Sequence, residues 1–424
     1  MGATRQTRGF FPNIPAATAY PAAPVSSAGK GGESVRLIIC LGLASFASSV
    51  SMRALDPMLP IVASDLHVSL AQAAWLASAY SFPYAIMQLV LGPAADAFGK
   101  VRLICCALAG VTLGSMICVL APEFGGVMAG RIIAGGSGGG VIPVAFALIG
   151  DRIPYAERQV TLSRVLIISI AGHMTGAIGS GAIASLLGWR AVFLFAALLA
   201  ASALAVVYFF LASTEEPGER PKLGRAFASY LPVLTDRMAL LIFGCVAAEG
   251  VLFFGIFPFL APMLTQHGAA NGGTVAAGVV LAGFALGGVA YGAIARPVIR
   301  LLGGLNMLRI GGLVAGTIYL ASAAPLPWLD IALMFFVGGF GFYIMHNTFQ
   351  LRATELAPSA RGASLALFAA SFFLGQGTGP ILGAAVSQAW GYAVMYGAAG
   401  LLIMALGLAS AAAIKNLSRM SPQA

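Results

Sequence analysis

About twelve runs of roughly 20 largely apolar residues, separated by short polar stretches, constrain this chain more than any other feature. Hydrocarbon offers no hydrogen bonds, so a buried run must satisfy its own backbone, and a helix does so within one segment. The runs fall near 36–60, 71–93, 101–121, 126–149, 163–187 and 190–212. A second set falls near 237–262, 274–296, 305–324, 328–350, 362–388 and 391–414. Only 9% of the 424 residues are charged, against about 25% in a soluble domain. So little charge cannot cover a surface that faces water. The expected fold class is an all-α membrane protein with twelve transmembrane helices.

Charge orients the spans. With the N-terminus inside, every one of the 23 Lys and Arg residues except Arg53, Arg131 and Arg190 falls on the inner side. Arg53 and Arg131 lie within spans, and Arg190 alone lies outside. That asymmetry follows the positive-inside rule and predicts both termini in the cytoplasm. The net charge of +9 is scattered singly through short loops, so no nucleic-acid partner is expected. Cys40, Cys105, Cys106, Cys118 and Cys245 sit in apolar runs without paired spacing, which predicts small apolar fillers rather than a disulfide frame or a metal site.

The expected organisation is a disordered N-terminal tail over 1–33, a six-helix bundle over 34–212, a cytoplasmic linker over 213–236, a second six-helix bundle over 237–415 and a tail over 416–424. The tail 1–33 is rich in Ala, Pro, Gly and Ser and has no apolar core of signal-peptide length. The two bundles echo each other at an offset of about 200 residues, as parallel transporter repeats do. Leu91-Gly92 pairs with Tyr291-Gly292, Gly135–Gly140 with the Gly338-Gly339 region, and Asp151, Pro154 and Arg158 with Glu355, Pro358 and Arg361. Gly176 and Gly179 pair with Gly379 and Gly383, and Trp189 with Trp390.

The stretch 91–102, LGPAADAFGKVR, carries Gly92, Asp96, Gly99, Lys100 and Arg102 between two apolar runs. With Arg131 followed four residues later by Gly135, and Asp151-x-x-Pro154 followed by Arg158, it resembles the major facilitator superfamily. The resemblance covers nearly the whole chain after the tail, and its flavour is that of twelve-span drug and metabolite efflux transporters. Ala97 stands where that family usually has Arg. The resemblance implies two pseudo-symmetric six-helix halves, a central cavity lined by spans one, four, seven and ten, and a gating loop at 91–102. In that loop Asp96 would bond a helix N-terminus of the other half, and Lys100 and Arg102 would hold loop contacts or anionic lipid. The Gly-x-x-x-Gly-Pro-x-x-Gly pattern of proton antiporters lacks its proline in span five. It is complete in span eleven, at Gly375, Gly379, Pro380 and Gly383.

Ionisable groups inside spans are costly and are the first functional candidates. Arg53 and Asp56 stand three apart, near enough to pair. Arg131 lies in the outer part of span four, as a candidate for proton coupling or substrate contact. Glu249, near the middle of span seven, reads as an unpaired carboxylate able to carry a proton. His346 and Asn347 lie in the inner half of span ten, where His346 can join a relay with Glu249. His173 in span five reads as a packing residue. Tyr80, Tyr84, Gln88, Phe254, Phe257, Tyr343 and Gln376 are weaker pocket candidates. The mid-span glycines at 135–140 and 375–383 read as close helix contacts rather than phosphate loops, and no nucleotide motif of the Gly-x-x-x-x-Gly-Lys type exists.

The expected function is secondary active transport: export of a small organic solute (drug, sugar or metabolite) by proton-coupled alternating access in a bacterial-type inner membrane. The alternative is a proton symporter or uniporter importing a sugar or organic acid. A non-transporting receptor or a membrane-embedded enzyme lacks the necessary soluble domain or reactive constellation. The partners are a small-molecule substrate, protons and the lipid bilayer, the protein is a monomer, and no cofactor or metal is expected.

Overall fold

The computed structural model describes residues 30–214, 228–270, 273–357 and 360–420, with the backbone only at residues 30–33, Gly92, Asp96, Thr214 and Met420. Most of the expected N-terminal tail and of the 213–236 linker lies outside the described residues, as does Pro358 of the repeat. Among the described residues, eleven helical segments are long and apolar enough to cross a bilayer. They are α1 (Lys30–Arg53), α2 (Leu70–Phe98), α3 (Lys100–Leu120), α4 (Phe124–Arg152), α5 (Tyr155–Leu187) and α6 (Trp189–Leu211). The second half follows as α7 (Arg237–Glu249, the first part of a span that continues to Gln266), α8 (Thr274–Leu302), α9 (Gly304–Ala321), α10 (Trp328–Leu356) and α11 (Arg361–Met420).

The expectation was twelve, and the difference lies at Gly391. α11 has 60 residues, about 90 Å of helix at 1.5 Å per residue, or some three hydrocarbon thicknesses. Gly391 interrupts it at φ 81° and ψ 171°, outside helical geometry. The two arms pack against different partners. Gly375 and Gly379 of the first arm meet Ala247 and Gly255, whereas Gly400 and Gly407 of the second meet Gly316 and Gly312 of α9.

Pseudo-symmetry runs through the local geometry. α1 ends at Arg53, passes through a 3₁₀ turn at Asp56–Met58 and resumes as Leu59–Asp65. α7 ends at Glu249, passes through a π turn at Gly250–Phe254 and a 3₁₀ turn at Phe257–Phe259, and resumes as Leu260–Gln266. Pro57 and Pro258 are the second residues of the corresponding 3₁₀ turns, where a missing N–H costs nothing. A Cβ on Gly135 would strike the carbonyl of Tyr80, and one on Gly339 would strike the carbonyl of Phe284. Gly99 (φ 95°) joins α2 to α3 as Gly303 (φ 70°) joins α8 to α9, a region that L side chains avoid.

These anchors correct three sequence readings. Aligning Gly99 with Gly303 sets Asp96 opposite Arg300, and Gly92 opposite Arg296, so the pairing of Leu91-Gly92 with Tyr291-Gly292 was four residues out of register. The stretch 91–102 is also not a loop: α2 runs to Phe98 and α3 starts at Lys100, leaving Gly99 as the turn. Aligning Gly188 (φ 85°) with Gly391 (φ 81°) likewise separates Trp189 from Trp390.

The halves meet where α2 packs on the first arm of α11 and α5 packs on α8. Gly377 faces Phe82, while Gly181 and Gly278 face Thr274 and Ala177. The apolar cores distinguish the two ends of the molecule. At the Pro57 end, Leu55, Met58, Leu59 and Val62 share one cluster with Phe257, Leu260, Met263 and Leu264 of the other half. At the Gly99 end, Leu37, Leu41, Val101 and Ile149 form a cluster wholly within the first half, and Tyr291, Met307 and Ile344 form one within the second. The apolar seal between halves therefore lies at the Pro57 end.

Candidate functional site

Beneath that seal lies a cavity of about 150 Å³, lined by residues of α1, α5, α8, α10, α11 and the interrupted stretch after α7. Its position follows from the two interrupted helices. Where α1 stops, Arg53 is freed to turn across the molecular axis. Its guanidinium lies 4.4 Å from the centroid of the Phe254 ring and 5.6 Å from that of Phe257, both on the interrupted stretch after α7. Arg53 Nη1 donates to Asp56 Oδ2 at 3.3 Å. The expected pairing is present, but Asp56 stands on the 3₁₀ turn rather than in the same helix. Asp56 lines a smaller adjoining cavity with Arg53, Ser81, Arg131 and Gln376.

Arg131 is buried at 2% exposure, beside the main cavity rather than in its wall. Its Nε donates to the Leu76 carbonyl and its Nη1 to the Ser51 carbonyl, both at 3.2 Å. The guanidinium also lies 4.3 Å from the centroid of the Tyr80 ring. One side chain of α4 thus ties α1 and α2 together by charge-assisted bonds.

Glu249 is not unpaired. Its Oε2 lies 2.7 Å from His346 Nδ1, which corrects the sequence expectation. The carboxylate is wholly buried, and its Oε1 has no hydrogen-bond partner among the described residues. His346 is partly exposed and lines the main cavity. It is held between aromatic rings, with centroids 5.1 Å away at Phe342 and 4.9 Å away at Phe372. The imidazole is therefore the hydrogen-bonded step between the buried carboxylate and the cavity. The π turn begins one residue after Glu249, and such turns recur at functional sites.

Asn347 lies apart from this pair and bonds the Tyr291 hydroxyl. His173, expected to be a packing residue, instead lines the cavity. Phe254, Phe257 and Tyr343 line it as well, joined by Phe284, Phe342, Phe372 and Phe373, which sequence reasoning missed. The available signal was weak: Phe342 and His346 recur at helical spacing, as do Phe368 and Phe372, but so do packing aromatics.

Of the 91–102 residues, Lys100 Nζ bonds Asp151 Oδ2 at 2.8 Å, linking α3 to α4 within one half. Arg102 is exposed near the start of α3. The side chain of Asp96, and so the expected contact with the other half, lies outside the described residues.

The comparisons agree with this architecture. The Major Facilitator Superfamily model matches residues 41–368, and the chain belongs to that family. The chain is similar to the uncharacterized MFS-type transporter YceJ of Bacillus subtilis, at 26% identity over 77% of this chain and 82% of YceJ. It is also similar to the multidrug export protein EmrB of Haemophilus influenzae, at 25% identity over 44% of this chain and 36% of EmrB. The chain thus spans about a third of that exporter's length. The crystal structure of the nucleoside transporter NupG (D323A mutant) shares the fold, with TM-score 0.72 and 13% identity over 90% of this chain and 99% of NupG.

Proposed function

We propose that this major facilitator transporter exports a small organic solute in exchange for protons. The observation that carries the proposal is the Glu249–His346 pair. A buried carboxylate touching a cavity-facing imidazole can exchange a proton with that cavity through the imidazole. The two halves, 34–212 and 237–415, rock about the central site, and linker 213–236 joins them. The Gly99 end faces the cytoplasm, as the basic loops indicate, in the inner membrane of a bacterial-type cell, and the protein acts as a monomer. Similarity to EmrB supports the outward direction.

The importing alternative draws on one observation: the complete Gly-Pro pattern lies in the first arm of α11 and not in α5. One experiment tests both readings. Accumulation of a panel of radiolabelled organic solutes is measured in energised bacteria that lack their own major exporters. Cells producing the wild type should hold less of at least one solute. A protonophore or Glu249→Gln should abolish the difference at equal membrane abundance. Wild-type export by Glu249→Gln would sink the proposal, and higher accumulation would reverse the direction.

A further inference from the structure

Four ionisable side chains among the described residues line the main cavity: Arg53, His173, His346 and Tyr343. No carboxylate is among the described residues that line it. Asp56 faces the smaller adjoining cavity, and Glu249 is wholly buried behind His346. An organic cation entering here would find no free carboxylate to pair with, since Asp56 is engaged by Arg53 and Glu249 by His346.

The rest of the wall is apolar. Phe254, Leu281, Phe284, Phe342, Phe372 and Phe373 surround the space. A sugar needs several donors and acceptors around its ring, and this wall offers too few. The volume of about 150 Å³ matches one aromatic ring, because an apolar cavity of about that size takes up benzene.

Arg53 is built to receive an anion. Its Nη1 is bonded to Asp56, while its Nε and Nη2 have no hydrogen-bond partner among the described residues. Phe254 holds the guanidinium plane from one face. A planar fork so fixed suits a carboxylate, which it can grip through two parallel N–H donors.

We infer that the cavity takes a small amphipathic organic anion, a monocarboxylate with a body of about one ring, its carboxylate at Arg53 and its body among the phenylalanines. This substrate class rests on the reading of the chain as a solute transporter, and it can fail while that reading stands.

The test uses purified full-length protein in detergent with radiolabelled benzoate as the probe. Benzylamine and benzyl alcohol, which keep the ring and change the charge, serve as competitors. Benzoate should bind saturably and at least about tenfold more tightly than either competitor, the ratio expected for one charge-assisted contact. The double variant Arg53→Gln/Asp56→Asn removes both charges of the pair and leaves no buried carboxylate unpartnered. It should weaken benzoate about tenfold and leave benzyl alcohol unchanged. Preference for benzylamine, equal binding of all three, no saturable benzoate binding, or undiminished benzoate binding by the double variant would each overturn the assignment. None of these results bears on whether Glu249→Gln loses proton-coupled export, so the two failures are separable.

Discussion

Arg131 shows what a single buried charge does in this fold. Its guanidinium bonds two main-chain carbonyls on two other helices and packs on Tyr80. Arg131→Ala should therefore lower stability by about 2–5 kcal/mol, through the void and the carbonyls left unpaired. Arg131→Lys should lose less, because a point charge can reach one carbonyl but not span both. Thermal unfolding in detergent measures both. Equal stability of the alanine variant would contradict the structural role. Glu249 was legible in the sequence because a carboxylate in an apolar run is costly. Its bond to His346 was not, since 97 residues separate them and only the fold brings α7 against α10. Arg53 and Asp56 were legible as neighbours. The phenylalanine wall was not, because a phenylalanine in an apolar helix carries no mark of which face it occupies.

At the scale of the element, glycines set how closely helices approach. α4 lies on α2 at Gly135, and α10 lies on α8 at Gly339, with main-chain carbonyls where a Cβ would stand. Gly135→Val and Gly339→Val should each cost about 1–3 kcal/mol or more by overpacking against backbone that cannot yield. Gly125→Ala, with nothing within 4 Å, should be tolerated. Thermal unfolding and the monodisperse yield after detergent extraction check all three. Tolerance of valine at both packed positions would refute the close-approach account. The helices themselves were legible, because apolar runs in a bilayer have few options. Their ends were less so. Glycine turns at 99 and 391 move by conformation alone, and sequence hydropathy does not register a single positive φ. That is why 91–98 read as loop.

Over the whole molecule, the two halves share an apolar core at the Pro57 end and bury separate cores at the Gly99 end. The repeat was legible in outline from ordered Gly, Pro and Arg positions, but its register required the turns at Gly99 and Gly303. Proton coupling demands that protonation at the Glu249–His346 pair change the balance between this arrangement and its opposite. Phe98 and Leu301 are both exposed, on opposite halves at the Gly99 end, and report that balance. Spin labels at these two positions, in protein with its native cysteines replaced, give their distance distribution by pulsed electron resonance. Lowering the pH from about 8 to about 5 should redistribute the populations in the wild type and leave Glu249→Gln unmoved. A wild type indifferent to pH, or a Glu249→Gln variant that shifts as the wild type does, would contradict the account.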